Sequence, residues 1–311
     1  MKKICVAGVG AVGGLLSAML GQNPEVELSV IARGEKARSF KENGIVLHSD
    51  FYGEQVARPV HIASNGADLP IMDAILLCVK NYSLDEMTEL IGPAIGPETV
   101  LLPVMNGIEA PGKLRQAFPG RHVGESCIYT VSFMDKDYSI RQIGPYTHMF
   151  AGCTPTGDKA AVYEVLEVIR ASGFDCRISE NIEGEIWQKF ILNCAYNTLT
   201  ARYMVNSGEI RDNPLYREEL HALLEEAAAE GFQLGIRIPE DIVEQKFSFM
   251  MEKQPPTATS SMRRDLEKGL PIELDAFTGA ILRKGEALGI DVPMTRRFHE
   301  ELQRCEDLAR Q

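Results

Sequence analysis

The sequence predicts an α/β fold in which a doubly wound sheet is followed by an all-helical C-terminal domain. At the N-terminus an apolar strand pattern leads into a glycine-rich turn and an apolar helix. Strand and helix patterns then alternate through the first half of the chain, as in a parallel sheet covered by helices, and the second half is almost purely helical. We therefore expect two domains, residues 1–181 and 182–311, which suits a chain of 311 residues.

The opening stretch predicts a nucleotide site. Residues 3–7 have the pattern of a buried strand, and the turn after them has the spacing G-x-G-x-x-G. The first glycine allows a tight turn, the second lets backbone approach a pyrophosphate, and the third lets the helix pack on its strand. The helix N-terminus then directs N–H groups at the phosphates. A Rossmann-type dinucleotide site is thus expected at Gly8, Val9, Gly10, Ala11, Val12 and Gly13.

A signal peptide or a short membrane span is the alternative interpretation of this stretch, because Lys2 and Lys3 precede an uncharged run. The glycines within the run argue against it, as does the lack of a small-residue cleavage pattern before Glu25.

The second strand, predicted over residues 27–32, ends at Arg33. In this kind of fold an acidic residue about 20 positions beyond the glycines binds the ribose 2′-hydroxyl of NAD, whereas an arginine accommodates the 2′-phosphate of NADP. Arg33 therefore favours NADP(H). The alternative is a solvated loop charge.

Two later strands end in polar residues. The run of residues 73–80 is apolar almost throughout, as in a parallel strand buried on both faces, and it ends at Lys80. The next strand, over residues 99–103, leads to Asn106 and Gly107. Ligands bind at the carboxyl edge of such sheets, so Lys80 could reach the cofactor and Asn106 the nicotinamide or the substrate. A lysine in water and a simple Asn-Gly turn are equally good interpretations at this point.

The rest of the first domain carries weaker signals. Strand patterns occur at residues 45–47 and 56–62, and alternation over residues 122–152 predicts antiparallel strands that close the sheet. A helix over 158–171 and a short strand over 175–178 complete the domain. In the second half, glycines and prolines delimit helices at residues 182–201, 214–234, 239–252, 260–269, 273–288 and 293–309.

One helix of the second half carries a polar stripe. Lys189, Asn193 and Asn197 recur at every fourth position of an otherwise apolar helix, so they share one face. An unpaired buried polar group costs about 1–3 kcal/mol, so these side chains need partners. A small anionic, carbonyl-bearing ligand would supply them, and a structural network between helices is the alternative.

Two further sites in the second half bear polar groups near helix starts. Ser260 or Ser261 is most simply an N-cap, although the same geometry suits a substrate carboxylate. Glu273 could be an ordinary first-turn acid of the next helix.

Together these motifs resemble the ketopantoate reductase (2-dehydropantoate 2-reductase) family over essentially the whole chain. The matching segments are GVGAVGG at the start, Arg33, VK at 79–80, NG at 106–107, W-x-K-x-x-x-N-x-x-x-N at 187–197, SSMRRD at 260–265 and IELD at 272–275. The helix with the lysine and asparagines, followed by the later two motifs, is the specific part of this resemblance.

The resemblance implies an oxidoreductase that reduces a 2-keto acid with NADPH, with ketopantoate as the expected substrate in pantothenate biosynthesis, on the route to coenzyme A. Lys189 would be the general acid, and Glu273 would hydrogen-bond the oxygen functions of the substrate. Substrate contacts are expected from Asn106, Asn193, Asn197 and Ser261. Arg33 and Lys80 would hold the 2′-phosphate, with Asn106 and Glu273 also beside the cofactor.

Two positions depart from the family pattern. The family often has glutamine where this chain has Met105, and some members have asparagine where it has Ala258. Another 2-keto or 2-hydroxy acid is therefore an alternative substrate, and a non-catalytic NADPH-binding sensor or scaffold is an alternative function.

Composition limits the partners. A net charge of −12 argues against nucleic acid and anionic membranes as partners. Most of the seven cysteines lie in apolar runs, and neither they nor the six histidines have ligand spacing, so we expect no metal site and a reducing, cytoplasmic compartment. A homodimer formed through the long helices is left open.

Overall fold

The computed structural model describes residues 1–154 and 159–309. Contacts divide the chain into two units. The first consists of Met1–Asn106 and Ala110–Ile182, and the second of Gly107–Glu109 and Glu183–Gln311. The chain thus leaves the first unit for three residues after Asn106 and leaves it again after Ile182.

The first unit alternates strands and helices. Its strands are β1 (Lys2–Ala7), β2 (Val26–Ile31), β3 (Ile45–Ser49), β4 (Gly53–Ala57), β5 (His61–Ala63), β6 (Met72–Leu77), β7 (Ile95–Pro103), β8 (His122–Val123), β9 (Glu125–Met134), β10 (Ile140–Gly152) and β11 (Cys176–Ile178). Its helices are α1 (Ala11–Leu20), α2 (Gly34–Asn43), α3 (Leu84–Ile91), α4 (Ala110–Ala117) and α5 (Lys159–Ala171). The predicted helix at 158–171 is confirmed as α5, and Asp158 lies outside the described residues.

A six-stranded parallel sheet in the order β5-β2-β1-β6-β7-β8 forms the centre of this unit. The direction of winding changes at β1, which has β2 on one side and β6 on the other. Helix α1 lies directly after β1 and is buried from Gly13 to Leu20, because its apolar residues pack against the strands. The predicted doubly wound α/β fold is confirmed.

The antiparallel strands form a second sheet. Strands β9 and β10 pair along their length, and β10 pairs on its other edge with β3 and β11 in a sheet of order β11-β10-β3-β4. The prediction that residues 122–152 form antiparallel strands that close the first sheet is therefore wrong. Strands β9 and β10 belong to the second sheet, and β8, which does join the first sheet, is parallel to β7. The strand pattern at 56–62 is also split, since β4 belongs to the second sheet and β5 to the first.

The second unit is helical, as predicted. It contains most of α6 (Ile182–Tyr203), together with α7 (Ser207–Asp212), α8 (Pro214–Gln233), α9 (Ile242–Ser248), α10 (Ser261–Glu267), α11 (Ala280–Leu288) and α12 (Pro293–Ala309). The helix predicted at 239–252 ends in a wide π-helical turn at Phe249–Lys253, and the helix predicted at 273–288 contains one at Asp275–Gly279, just before α11. Within the described residues, none of the helices combines the length and apolar character needed to cross a membrane.

Candidate functional site

The glycine turn has the tight geometry that the motif requires. Gly8 has φ +94°, and a Cβ there would lie 2.4 Å from Cγ1 of Val79. A Cβ on Gly13 would lie 2.2 Å from the carbonyl oxygen of Gly8, so only glycine lets α1 begin this close to β1. By contrast, no described atom lies within 4 Å of a Cβ built on Gly10. This open space beside backbone at a helix start fits a pyrophosphate.

Three of the predicted cofactor residues follow strands β2, β6 and β7 of the parallel sheet, of which β6 and β7 are neighbours and β2 lies on the other side of β1. Arg33 lies two residues beyond β2 and is exposed, Lys80 three residues beyond β6, and Asn106 three residues beyond β7. Strand β6 is therefore shorter than the predicted 73–80. The side-chain amide of Asn81 donates to the Asn106 carbonyl at 3.0 Å, which ties the loops after β6 and β7 together. The carboxyl edge of the sheet thus carries all three residues.

Arg33 also borders a crevice of about 460 Å³ between α2 and β5. Lys41, His61, Ser64 and Asp68 line the same crevice. These four residues could not be predicted from a sequence pattern, because their positions in α2 and around β5 become neighbours only through the parallel pairing of β2 with β5.

In the second unit, α6 carries the predicted polar face. Lys189 and Asn193 are half-buried, whereas Asn197 is only 4% exposed. The Asn197 amide donates to the Asn193 carbonyl at 2.8 Å, and its oxygen accepts from Ser261 Oγ and from the Met262 N–H, both at 3.2 Å. Asn197 therefore fixes the start of α10 against α6, and with it the hydroxyl of Ser261.

The cap of α10 is Ser260, not Ser261. Ser260 Oγ accepts from the Arg263 N–H at 3.1 Å and from Thr200 Oγ1 at 2.7 Å. Thr200 lies on α6, and its role could not be predicted from the sequence because its partner is 60 residues away along the chain. With the cap assigned to Ser260, the neighbouring Ser261 is left half-buried and bonded to Asn197.

The loop before this cap is held by backbone. The carbonyl of Ala258 accepts from the Tyr196 hydroxyl at 2.9 Å and from the Ser207 N–H at 3.0 Å. The position of the loop therefore depends on the main chain at Ala258, whatever side chain stands there.

Glu273 is 5% exposed and lies just before the π-helical turn at Asp275–Gly279. An ordinary first-turn acid would be solvated, so its burial argues for a specific role, and π-helical turns are frequent at functional sites. At this π-helical turn, Arg283 forms hydrogen bonds with Asp275 and a bidentate ion pair with Glu109 at 3.2 and 2.8 Å. This arrangement raises the pKa of the Arg283 guanidinium, chiefly through its hydrogen bond to Asp275.

Two family profiles match this chain. One, described as "Ketopantoate reductase PanE/ApbA", matches residues 4–155, and the other, "Ketopantoate reductase PanE/ApbA C terminal", matches residues 181–306. The chain belongs to the ketopantoate reductase family. The resemblance predicted from the motifs is thereby confirmed.

Similar proteins agree with this membership. The 2-dehydropantoate 2-reductase of Mesorhizobium japonicum is 26% identical, covering 94% of each chain. That of Pyrococcus horikoshii is also 26% identical, covering 94% of this chain and 93% of its own. The crystal structure of 2-dehydropantoate 2-reductase from Methylococcus capsulatus has a TM-score of 0.90 at 26% identity, covering 99% of this chain and 98% of that one. The protein is therefore an enzyme, an oxidoreductase of a family that depends on NAD(P).

Proposed function

We propose that this protein reduces a 2-keto acid, 2-dehydropantoate, to pantoate with NADPH. Family membership supports this reaction. The observation that carries it is the polar face of α6, where Asn193, Asn197 and Ser261 are joined by hydrogen bonds next to Lys189 in an otherwise apolar helix core. Buried and half-buried amides and a lysine on α6, with a hydroxyl of α10 bonded to them, suit a small anion with a carbonyl group.

In this proposal the first unit binds the cofactor, which supplies a hydride. The turn from Gly8 to Gly13 holds the pyrophosphate at the start of α1, where the geometry leaves open space at Gly10. Arg33 and Lys80 bind the 2′-phosphate through charge-assisted hydrogen bonds. Asn106 orients the nicotinamide end, where Glu273 is also assigned.

The helical unit, proposed to span residues 182–311, binds the substrate and supplies the proton. Lys189 stabilises the charge that develops on the carbonyl oxygen and protonates it. Glu273 accepts hydrogen bonds from the oxygen functions of the substrate. Ser261 binds the carboxylate, and Asn193 and Asn197 orient the substrate, Asn197 at least by holding Ser261.

The test is an assay of purified protein with a panel of 2-keto acids that includes 2-dehydropantoate, with NADPH and NADH each followed by loss of reduced-nicotinamide absorbance. We expect turnover on 2-dehydropantoate with NADPH preferred, which would assign the enzyme to pantothenate biosynthesis. Turnover on another keto acid alone would reject the proposed substrate. Binding of NADPH without reduction of any acid would reject catalysis in favour of a sensor or scaffold.

Localisation in the cytoplasm and assembly as a homodimer remain predictions from the sequence. Light scattering of the purified protein at several concentrations would settle its mass in solution.

A further inference from the structure

A carboxylate lies beside the arginine proposed to bind the 2′-phosphate. Glu86 is in the first turn of α3, and its Oε1 accepts a hydrogen bond from Nη2 of Arg33 at 2.8 Å. The two side chains are 55% and 60% exposed, so both are accessible to a ligand from solvent. Glu86 is not part of any of the motifs described above.

The ion pair between Arg33 and Glu86 lies at the carboxyl edge of the parallel sheet. Arg33 follows β2, and α3 follows β6, and these are the two strands that flank β1. The pair therefore runs across the carboxyl end of the strand that leads into the glycine turn. In an open α/β sheet the ligand crevice lies at this change of winding direction.

We propose that Glu86 is a specificity-determining residue that reduces the preference of this enzyme for NADPH over NADH. Its carboxylate competes with the 2′-phosphate for the guanidinium of Arg33. The inference rests on the proposed role of Arg33, and it adds a residue that opposes that role.

The effect follows from charge. A 2′-phosphate carries nearly two negative charges, and its hydrogen bonds to Arg33 must replace the bond that Arg33 makes to Glu86. Once displaced, the carboxylate remains on α3 close to the phosphate, and like charges repel. NADH has hydroxyls on the same ribose, which carry no charge, so its binding is affected much less.

The test is Glu86→Gln, which removes the charge and keeps the shape of the side chain. We expect the dissociation constants of NADPH and of adenosine 2′,5′-bisphosphate to fall about three- to tenfold in calorimetric titrations, with little change for NADH and ADP. Adenosine 2′,5′-bisphosphate tests the 2′-phosphate without any chemistry. The matched control is Glu89→Gln, an exposed glutamate on the same helix, which should change none of the four constants.

Ionic strength gives a second measurement. Because the pair is exposed, the ratio of the NADPH dissociation constants of wild type and Glu86→Gln should approach one at about 0.5 M salt. A ratio that does not change with salt would contradict an electrostatic role for Glu86.

Arg33→Ala separates failure of this inference from failure of the proposed function. If Arg33→Ala weakens NADPH by about tenfold or more but not NADH, the 2′-phosphate role of Arg33 stands. An unchanged NADPH-to-NADH ratio in Glu86→Gln would then overturn only the role of Glu86. If Arg33→Ala weakens both cofactors equally, the proposed NADPH site itself is wrong.

Discussion

At the scale of single residues, Lys189 has the most direct role in the proposed chemistry. Replacing it with alanine should lower kcat by about 100-fold or more, because no group would deliver the proton to the carbonyl oxygen. The NADPH dissociation constant should stay close to that of wild type, since Lys189 is assigned to the substrate. Steady-state kinetics with a fluorescence titration of NADPH would check both.

A suitable control is Gln188→Ala, which changes the neighbouring half-buried polar residue of α6. Its kcat should remain near that of wild type. Near-normal turnover in Lys189→Ala would remove the lysine from the mechanism.

Asn197 should behave differently, because its amide is occupied by protein groups. Asn197→Ala would leave the Met262 N–H and Ser261 Oγ without their acceptor, and it should lower the free energy of unfolding by about 1–3 kcal/mol. Substrate KM should rise as well, because Ser261 loses its anchor. Urea unfolding and KM for the keto acid would be measured on the same preparation.

If Asn197 instead acts only by touching the substrate, KM would rise with no loss of stability. Ser261→Ala distinguishes the two roles, since it removes the hydroxyl proposed to bind the carboxylate but leaves the bond from Met262 N–H to Asn197 in place. Its stability should be close to that of wild type.

These two residues also show what the sequence could predict at this scale. Helical periodicity was enough to place Lys189, Asn193 and Asn197 on one face. It could not show that Asn197 holds Ser261, because that bond joins residues 64 positions apart and depends on how α10 packs against α6. The sequence also could not decide between Ser260 and Ser261 as the helix cap, because the contact of Ser260 with Thr200 likewise depends on how α10 packs against α6.

At the scale of elements, the roles of Gly13 and Gly10 at the start of α1 can be separated by experiment. Gly13→Ala would place a methyl group 2.2 Å from the Gly8 carbonyl oxygen, so α1 must move away from β1 and the midpoint of urea unfolding should fall. Gly10→Ala meets no described atom within 4 Å, so stability should be retained while NADPH binds more weakly. Urea unfolding and NADPH titration of both variants would check this.

The two variants serve as controls for each other. Equal loss of stability would mean that Gly10 also has a packing role. Normal NADPH binding by Gly10→Ala would mean that the pyrophosphate does not lie in the open space beside this turn.

Helices and strands were predicted correctly where a local sequence pattern specifies them. The prediction failed where strand pairing between distant segments decides which sheet a strand joins. The strand β1 and its turn were predicted from residues 3–13 alone, because the glycine spacing and the apolar run specify the geometry. Alternation over 122–152 predicted antiparallel strands, but no local signal states which sheet they join. Helix α2 was not predicted, because only Phe40 of its ten residues is buried. Its apolar face is too small to produce a helical repeat of hydrophobic residues in the sequence.

At the scale of the whole molecule, a buried acid links stability to pH. Glu230 on α8 is 0% exposed, and neither carboxyl oxygen reaches hydrogen-bonding geometry with any described residue. Burial raises its pKa from 4.5 to about 8, against smaller opposite effects of Lys284 and of the Gly285 backbone, and Glu226 adds a small further rise. Burial also raises the pKa of the Cys194 thiol on α6, and the charge of Glu230 raises it further.

The direction of the pH effect follows from the different pKa of Glu230 in the folded and the unfolded protein. Between about pH 4.5 and pH 8 the folded protein keeps the proton on Glu230, whereas the unfolded chain has lost it. The folded state thus binds more protons, so the free energy of unfolding should fall as pH rises through this window. The total loss should be on the order of a few kcal/mol, and it should level off above the folded pKa.

Glu230→Gln removes this titration, so the difference in unfolding free energy between variant and wild type should shift in favour of the variant from about pH 5 to pH 8. The trend in that difference is the test, because other groups titrate equally in both proteins and the buried amide has its own constant effect. Trp187 is the only tryptophan, and a Cβ on Gly231, next to Glu230, would lie 3.2 Å from its ring. Its fluorescence therefore reports urea unfolding of the unit that holds Glu230.

The control is Glu218→Gln, at an exposed position of the same helix. The difference in unfolding free energy between this variant and wild type should not change with pH in this window. Parallel pH profiles for wild type and Glu230→Gln would mean that Glu230 is already ionised in the folded protein, and that a donor or a water compensates its charge inside the helical unit.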